Sequence, residues 1–187
     1  MKLIRNSYIQ LALFIPLIVL VYMGCSSTLS PTYQQLEAIY TIRTIMELPE
    51  LPLEFIKTTG MINSPSGNLK VALYQDPDGR KFYFDPETNQ VVEIDARSIL
   101  SDIPTNTASM SEKDLKVRAV EYITAIIPDF ESLHKNWMYE EGNKGDYYFF
   151  TWYSEIEPGA MNRPFAQIGL HKSGVLFAYY NTLLLGK

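Results

Sequence analysis

Any chemistry in this chain must come from one cysteine, two histidines and a scatter of carboxylates. Cys25 sits in Val21-Tyr22-Met23-Gly24-Cys25-Ser26-Ser27, where an apolar run gives way to small polar residues. Its thiolate is the one nucleophile here able to take a thioether-linked lipid. With no second cysteine an internal disulfide is excluded, and the fold must rest on its core. His134 and His171 show no HxH, HExxH or CxxC spacing, so a zinc site would need distant partners brought together by the fold. Glu140 and Glu141 are adjacent, and in a strand they point to opposite faces, so they cannot act as a paired acid and base without help. Asp76, Asp78, Asp85 and Glu87 stand on neighbouring turns and could hold calcium, but they lack the twelve-residue loop that ends in a bidentate Glu. There is no GxSxG frame and no Gly-rich phosphate loop. The expectation is a non-enzymatic chain with no catalytic residue, no metal and no cofactor.

The segment before Cys25 has three parts. Lys2 and Arg5 form a cationic start, Leu11 to Val21 is apolar throughout apart from Pro16, and Tyr22-Met23-Gly24 leads to the cysteine. That is the order of a secretory signal peptide. Two other readings stand beside it: an uncleaved anchor over Tyr8 to Gly24, at the short end of a spanning helix, and a free or buried thiol. The formal charge is −5. Removing the first 24 residues takes away Lys2 and Arg5 and no acid, leaving 14 − 21 = −7. An acidic body without a Lys/Arg stripe excludes nucleic acid as the expected partner.

The elements that must position these residues follow from periodicity and turn chemistry. Ser26 to Pro31 is a polar tether. From Thr32 a helix is predicted with Leu36, Ile39, Tyr40 and Met46 on its apolar face, stopped by Pro49 and Pro52. Asn68 to Gln75, Arg80 to Asp85 and Val91 to Asp95 read as a three-stranded meander, turning at Asp76-Pro77-Asp78-Gly79 and at Asp85-Pro86-Glu87-Thr88-Asn89. Residues 98–110 form a linker. Ser111 caps a second helix whose face is Leu115, Ala119, Tyr122, Ile123 and Ile126, ended by Pro128. Four strands follow: Trp137 to Glu141, Tyr147 to Ile156, Pro164 to Lys172 and Val175 to Thr182. Tyr147 to Tyr153 is aromatic on both faces and predicts a central strand covered on both sides. The division is 1–24 signal peptide, 25–31 lipidated tether, 32–97 helix plus meander, 98–110 linker and 111–187 helix plus four strands. The repeated helix-then-meander plan points to internal duplication.

Gly24-Cys25-Ser26-Ser27 after an apolar core resembles the lipobox of bacterial lipoproteins, with Tyr22 where Leu is usual. That resemblance implies a Cys25 lipidated on sulfur, with the lipid a palmitate-type acyl anchor, and cleavage to make it the mature N-terminus. It places the body at the cell envelope, anchored to a membrane and facing outside the cytoplasm.

The helix ending Ile127-Pro128-Asp129-Phe130, the stretch Gly145 to Trp152 and the hairpin Gln167 to Leu176 resemble the PepSY-type domain. Phe84 to Val92 is similar to the same family's turn, with Asn89 where Gly is usual. The resemblance implies an α+β fold with a helix across an antiparallel sheet, loosely cystatin-like, and for some relatives restraint of secreted peptidases.

Tyr and Trp are enriched where proteins bind proteins. The loop Glu155 to Arg163 is long for a hairpin connection and displays Met161 and Arg163. Ile156, Met161, Arg163, Trp152 and Tyr153 are therefore the candidate partner-binding residues. The expected function is a membrane-anchored protein- or peptide-binding module that restrains a peptidase or assists envelope assembly. A small-molecule or lipid carrier with a helix–sheet cavity is the alternative, and an unrecognised hydrolase the third.

Overall fold

The computed structural model describes residues 32–64, 67–127, 129–155 and 163–183. Residues 1–31, with Cys25 and the segment read as a signal peptide, lie outside them, as do Pro128, Ile156 and Met161. Helix α1 (Tyr33–Ile45) is followed by β1 (Glu54–Ser64), β2 (Gly67–Gln75), β3 (Lys81–Phe84), β4 (Val91–Asp95) and a 3-10 helix over Arg97–Asp102. Helix α2 (Glu112–Ile126), the short α3 (Phe130–Leu133) and a 3-10 turn over His134–Asn136 then lead to β5 (Met138–Lys144), β6 (Tyr147–Tyr153), β7 (Phe165–His171) and β8 (Leu176–Asn181). All eight strands join one antiparallel sheet, in the order β1-β2-β3-β4-β8-β7-β6-β5. Among the described residues no helix is long and apolar enough to cross a membrane.

The α+β class with helices on an antiparallel sheet is as the patterns imply. The first half holds four strands, one more than its turn signals predict. β1 escapes because a bulge between Phe55 and Lys57 breaks its alternation, and as an edge strand it gains little from apolar patterning. The two halves now match: each is a helix and a four-stranded meander, and their last strands pair at the centre with Ile94 opposite Tyr179. The match extends to irregularities. In β4 the residue left unpaired against β3 is Val92, and in β8 the residue left unpaired against β7 is Phe177, at corresponding places next to the central pair.

Both helices feed one core. α2 buries the predicted Leu115, Ala119, Tyr122, Ile123 and Ile126 against Phe82, Phe84, Ile94, Phe150, Ile168 and Tyr179. Ser111 caps α2 as its spacing requires, accepting from the Asp114 amide at 3.1 Å. α1 is turned differently from its predicted face. It buries Ala38, Ile42 and Ile45, while Leu36 and Tyr40 are exposed. The helix is apolar on several sides, so periodicity alone does not choose which stripe meets the core. Arg118 of α2 holds the end of α1 in place, reaching Glu47 at 2.7 Å and the Tyr122 hydroxyl at 3.1 Å. The Asp76–Gly79 and Asp85–Asn89 turns form as read, with Gly79 at φ 81° and Asn89 at φ 57°, the left-handed region Asn tolerates.

β6 is not central. It lies second from the edge, between β5 and β7. Phe150 and Trp152 face the helices and are buried, while Tyr147, Phe149 and Tyr153 point to the other face. There Gly169 of β7 lets the Phe177 ring come close: a Cβ at Gly169 would lie 2.9 Å from Phe177 Cζ and 3.1 Å from Ala178 Cβ. Gly169→Ala is therefore expected to lower stability by about 1–3 kcal/mol through overpacking, read as a lower urea midpoint with unchanged m-value.

Candidate functional site

The sheet has two faces of different character. Cross-strand register puts Tyr74, Phe82, Phe84, Ile94, Tyr179, Ile168, Phe150 and Trp152 under the helices. The same register puts Leu73, Tyr83, Glu93, Tyr180, Gln167 and Thr151 in one row on the opposite face. Two chains of rings flank this row. Tyr153, Phe165 and Tyr180 follow one another at centroid spacings of 5.9 and 5.6 Å. Tyr147 and Phe149 each stand edge-on to Phe177, at 5.4 and 5.7 Å. Tyr83, Phe149, Tyr153, Phe165 and Tyr180 are half-buried and Tyr147 is exposed, so this is a surface rather than a second core, although Val71, Leu73 and Val92 on the same face are buried.

Glu93 is the charged group between Tyr83 and Tyr180 in that row, and Lys81, Asp95 and Glu140 share its face of the sheet. It lies cross-strand from Tyr83 and Tyr180, and among the described residues no hydrogen bond or ion pair engages its carboxylate. The nearby cation, Arg97, is taken by Asp95 through two bonds of 2.8 and 2.7 Å. Burial, and then the Asp95 charge, raise the Glu93 carboxyl above its ordinary range, against the weaker pull of Arg97. Tyr83 is raised by burial and by the charges of Glu93 and Asp95, with Arg97 opposing; Tyr180 is raised by burial and Glu93. A half-buried carboxylate between tyrosine rings suits a cationic side chain from outside.

The sign of the pH effect follows from the raised carboxyl. Because the folded state holds this proton more tightly than the unfolded one, the associated stability is complete at low pH and lost as pH rises through the raised value. Glu93→Gln is expected to raise the thermal midpoint at pH 7 and to leave it unchanged below the ordinary 4.5 of the carboxyl. Paired melting curves at the two pH values check this.

The residues singled out by sequence fall into separate places. Trp152 is 4% exposed and faces the helices, touching Phe130 at 5.3 Å and Tyr139 at 5.3 Å, so it is a core residue and not part of a surface. Tyr153 lies on the open face. Arg163 closes the base of the loop beside it, donating from Nε to the Ser154 carbonyl at 2.6 Å, with its guanidinium 5.7 Å from the Tyr153 ring. No family model, curated protein or solved structure matches the chain. What can be said of its function therefore rests on these side chains.

The histidines do not meet. His134 lies in the 3-10 turn before β5 and stacks on Phe130 at 4.4 Å, with Nδ1 2.6 Å from the Phe130 carbonyl. His171 is buried in the β7–β8 hairpin, Nδ1 2.8 Å from Ser173 Oγ. Glu141 pairs with Lys116 at 2.7 Å, which holds its carboxyl low, while Glu140 lies on the other face. The acids on the two first-half turns are used by the turns: Asp76 and Asp78 bind Arg80, and Asp85 accepts from the Glu87 amide and the Thr88 hydroxyl. Among the described residues no group of three or more His, Cys, Asp or Glu side chains converges to hold a metal ion. The aromatic face was only partly visible in sequence, since Tyr83 and Glu93 belong to a hairpin distant in the chain from the strands of Phe165 and Tyr180. Their alternation in register with Tyr180 is the signal that could have found them.

Proposed function

We propose that this chain is an exported lipoprotein, anchored through Cys25, whose body is a non-catalytic module binding a protein or peptide at the cell envelope. The observation that carries the reading is the aromatic sheet face opposite the helices, with Tyr83, Tyr153, Phe165 and Tyr180 around Glu93. Half-buried tyrosines and phenylalanines on a rigid sheet present large contact area at low entropic cost, and a charge at their centre adds specificity. The PepSY-like, cystatin-like kinship of the fold belongs to the same proposal, supported by helices lying across one face of an antiparallel sheet. On this reading the partner is a peptidase held in check or an envelope protein under assembly. A carrier would need a space between helix and sheet, where Tyr74, Phe82, Phe84, Ile168 and Tyr179 are each no more than 3% exposed.

The test uses a photo-crosslinking amino acid placed at Phe165 or Tyr153 in the cells that make the protein, with Val117 on α2, 52% exposed, as the control site. The expected result is one discrete adduct from the sheet face and none from Val117. Adducts at Val117 with none at the sheet face would refute the assignment. Cys25→Ser is expected to abolish acyl labelling and move the protein out of the detergent phase. Full retention there with an uncleaved N-terminus would replace the lipid with a helical anchor.

A further inference from the structure

The outer side of α1 carries an apolar stripe that the core does not use. Tyr33, Leu36 and Tyr40 are 75%, 52% and 73% exposed. At about 100° per residue these three fall within about 60° of arc, on the far side of the helix from buried Ala38, Ile42 and Ile45. Single exposed apolar residues are ordinary, but three large ones in one line on one helix call for a cover. The charged residues of α1 do not share the stripe's role: Glu37 accepts from Asn89 Nδ2 at 3.3 Å, and Arg43 donates to the Leu51 carbonyl at 3.0 Å. Both reach a partner on the protein, Glu37 from an exposed position at the edge of the stripe.

Position in the chain says what the cover is. Tyr33 stands eight positions after Cys25, and fully extended those eight steps span at most about 29 Å. α1 is thus the first described element after Cys25, tied close to any bilayer that holds Cys25. Tyrosine is the side chain suited to that boundary, with its ring in the apolar zone and its hydroxyl among headgroups. We propose that the outer face of α1 lies on the bilayer surface, with Tyr33, Leu36 and Tyr40 in the headgroup region; this rests on the lipid-anchor reading of Cys25. No lysine or arginine lies between Thr32 and Ile42, so the contact is apolar and insensitive to salt. It fixes the body's orientation, because the aromatic sheet face lies on the side of the sheet away from the helices and so points from the membrane.

The full lipidated protein can be tested directly. Cys25 is the only cysteine and its sulfur would carry the lipid, so a cysteine introduced at Leu36 or Tyr40 takes a nitroxide at one place. The protein is reconstituted in 3:1 phosphatidylethanolamine–phosphatidylglycerol vesicles, with Val117 and Met138 as control positions. The expected result is labels at 36 and 40 open to oxygen and shielded from a water-soluble nickel relaxant, unchanged in high salt, with both controls open to nickel. The Tyr33→Ser/Tyr40→Ser variant should lose the shielding at position 36. Labels at 36 and 40 as open to nickel as Val117 would overturn the proposal. So would labels closed to oxygen and nickel alike, which would mean a second protein chain covers the stripe. Flotation of Cys25→Ser with the same vesicles separates the two readings: loss of flotation with water-exposed labels in the wild type leaves the anchor standing and removes only the docking of α1.

Discussion

Phe130→Ala is expected to cost about 3–5 kcal/mol of stability, near the top of the range for a single truncation. Phe130 is 0% exposed and occupies the joint between α2, α3 and the C-terminal sheet. His134 stacks on its ring at 4.4 Å, and Trp137 and Trp152 meet it edge-on at 5.8 and 5.3 Å. Removing the ring leaves a cavity whose walls are themselves large rings fixed in a strand and a 3-10 turn, so little of it can collapse. The His134 bond to the Phe130 carbonyl would lose the stacking that aligns it. Urea unfolding followed by tryptophan fluorescence gives the loss directly, and the near-ultraviolet circular dichroism of the two tryptophans should weaken. Phe130→Leu, which keeps most of the volume, should cost less than about 2 kcal/mol. Equal losses for Ala and Leu would show that packing around Phe130 is not what holds this joint.

The second large effect lies at the β2–β3 turn. Asp76 and Arg80 form an ion pair whose side chains are 0% and 8% exposed. Asp76 also accepts from the Arg80 amide at 2.9 Å, and Arg80 reaches Asp78 at 3.0 Å. Asp76→Ala leaves a buried guanidinium with only the exposed Asp78 beside it, and the expected cost is about 3–5 kcal/mol. Arg80→Ala should cost a similar amount, and the double variant little more than either alone, because breaking the pair is expensive while deleting it whole is not. A double-mutant cycle by chemical denaturation measures this coupling. Strictly additive single losses would mean that the two residues act separately, Asp76 through the turn and Arg80 through its packing.

Some of this architecture was present in local sequence. α2 could be read completely: Ser111 with Asp114 marks its start, and the five residues at helical spacing are the five it buries. Asp76-Pro77-Asp78-Gly79 and Asn89 fixed two turns because only certain residues tolerate the torsions those turns demand. β1 was illegible since its bulge removes the alternation that marks a strand. α1 was legible as a helix but not in its orientation. Leu36 is as apolar as Ile42 and Ile45 and Tyr40 carries a larger ring, and only contact with α2 and the sheet decides which side is buried. Of the residues read as a candidate surface, Tyr153 lies on the open face with Arg163 beside it, whereas Trp152, one residue from Tyr153, belongs to the core because successive strand residues face opposite ways.

What the chain carries by itself is its short-range physics: an apolar run before the one cysteine, helix caps, turn residues and the α+β order of its elements. The joining of two meanders through β4 and β8 came only with the tertiary structure, as did the assembly of Tyr83, Glu93, Tyr180 and Phe165 into one face. The reason is register. Tyr83 and Tyr180 are far apart in the chain, and nothing local ties them. They share a face because Ile94 and Tyr179 pair at the sheet's centre, and a shift of one residue there would turn Glu93 toward the wrong neighbours.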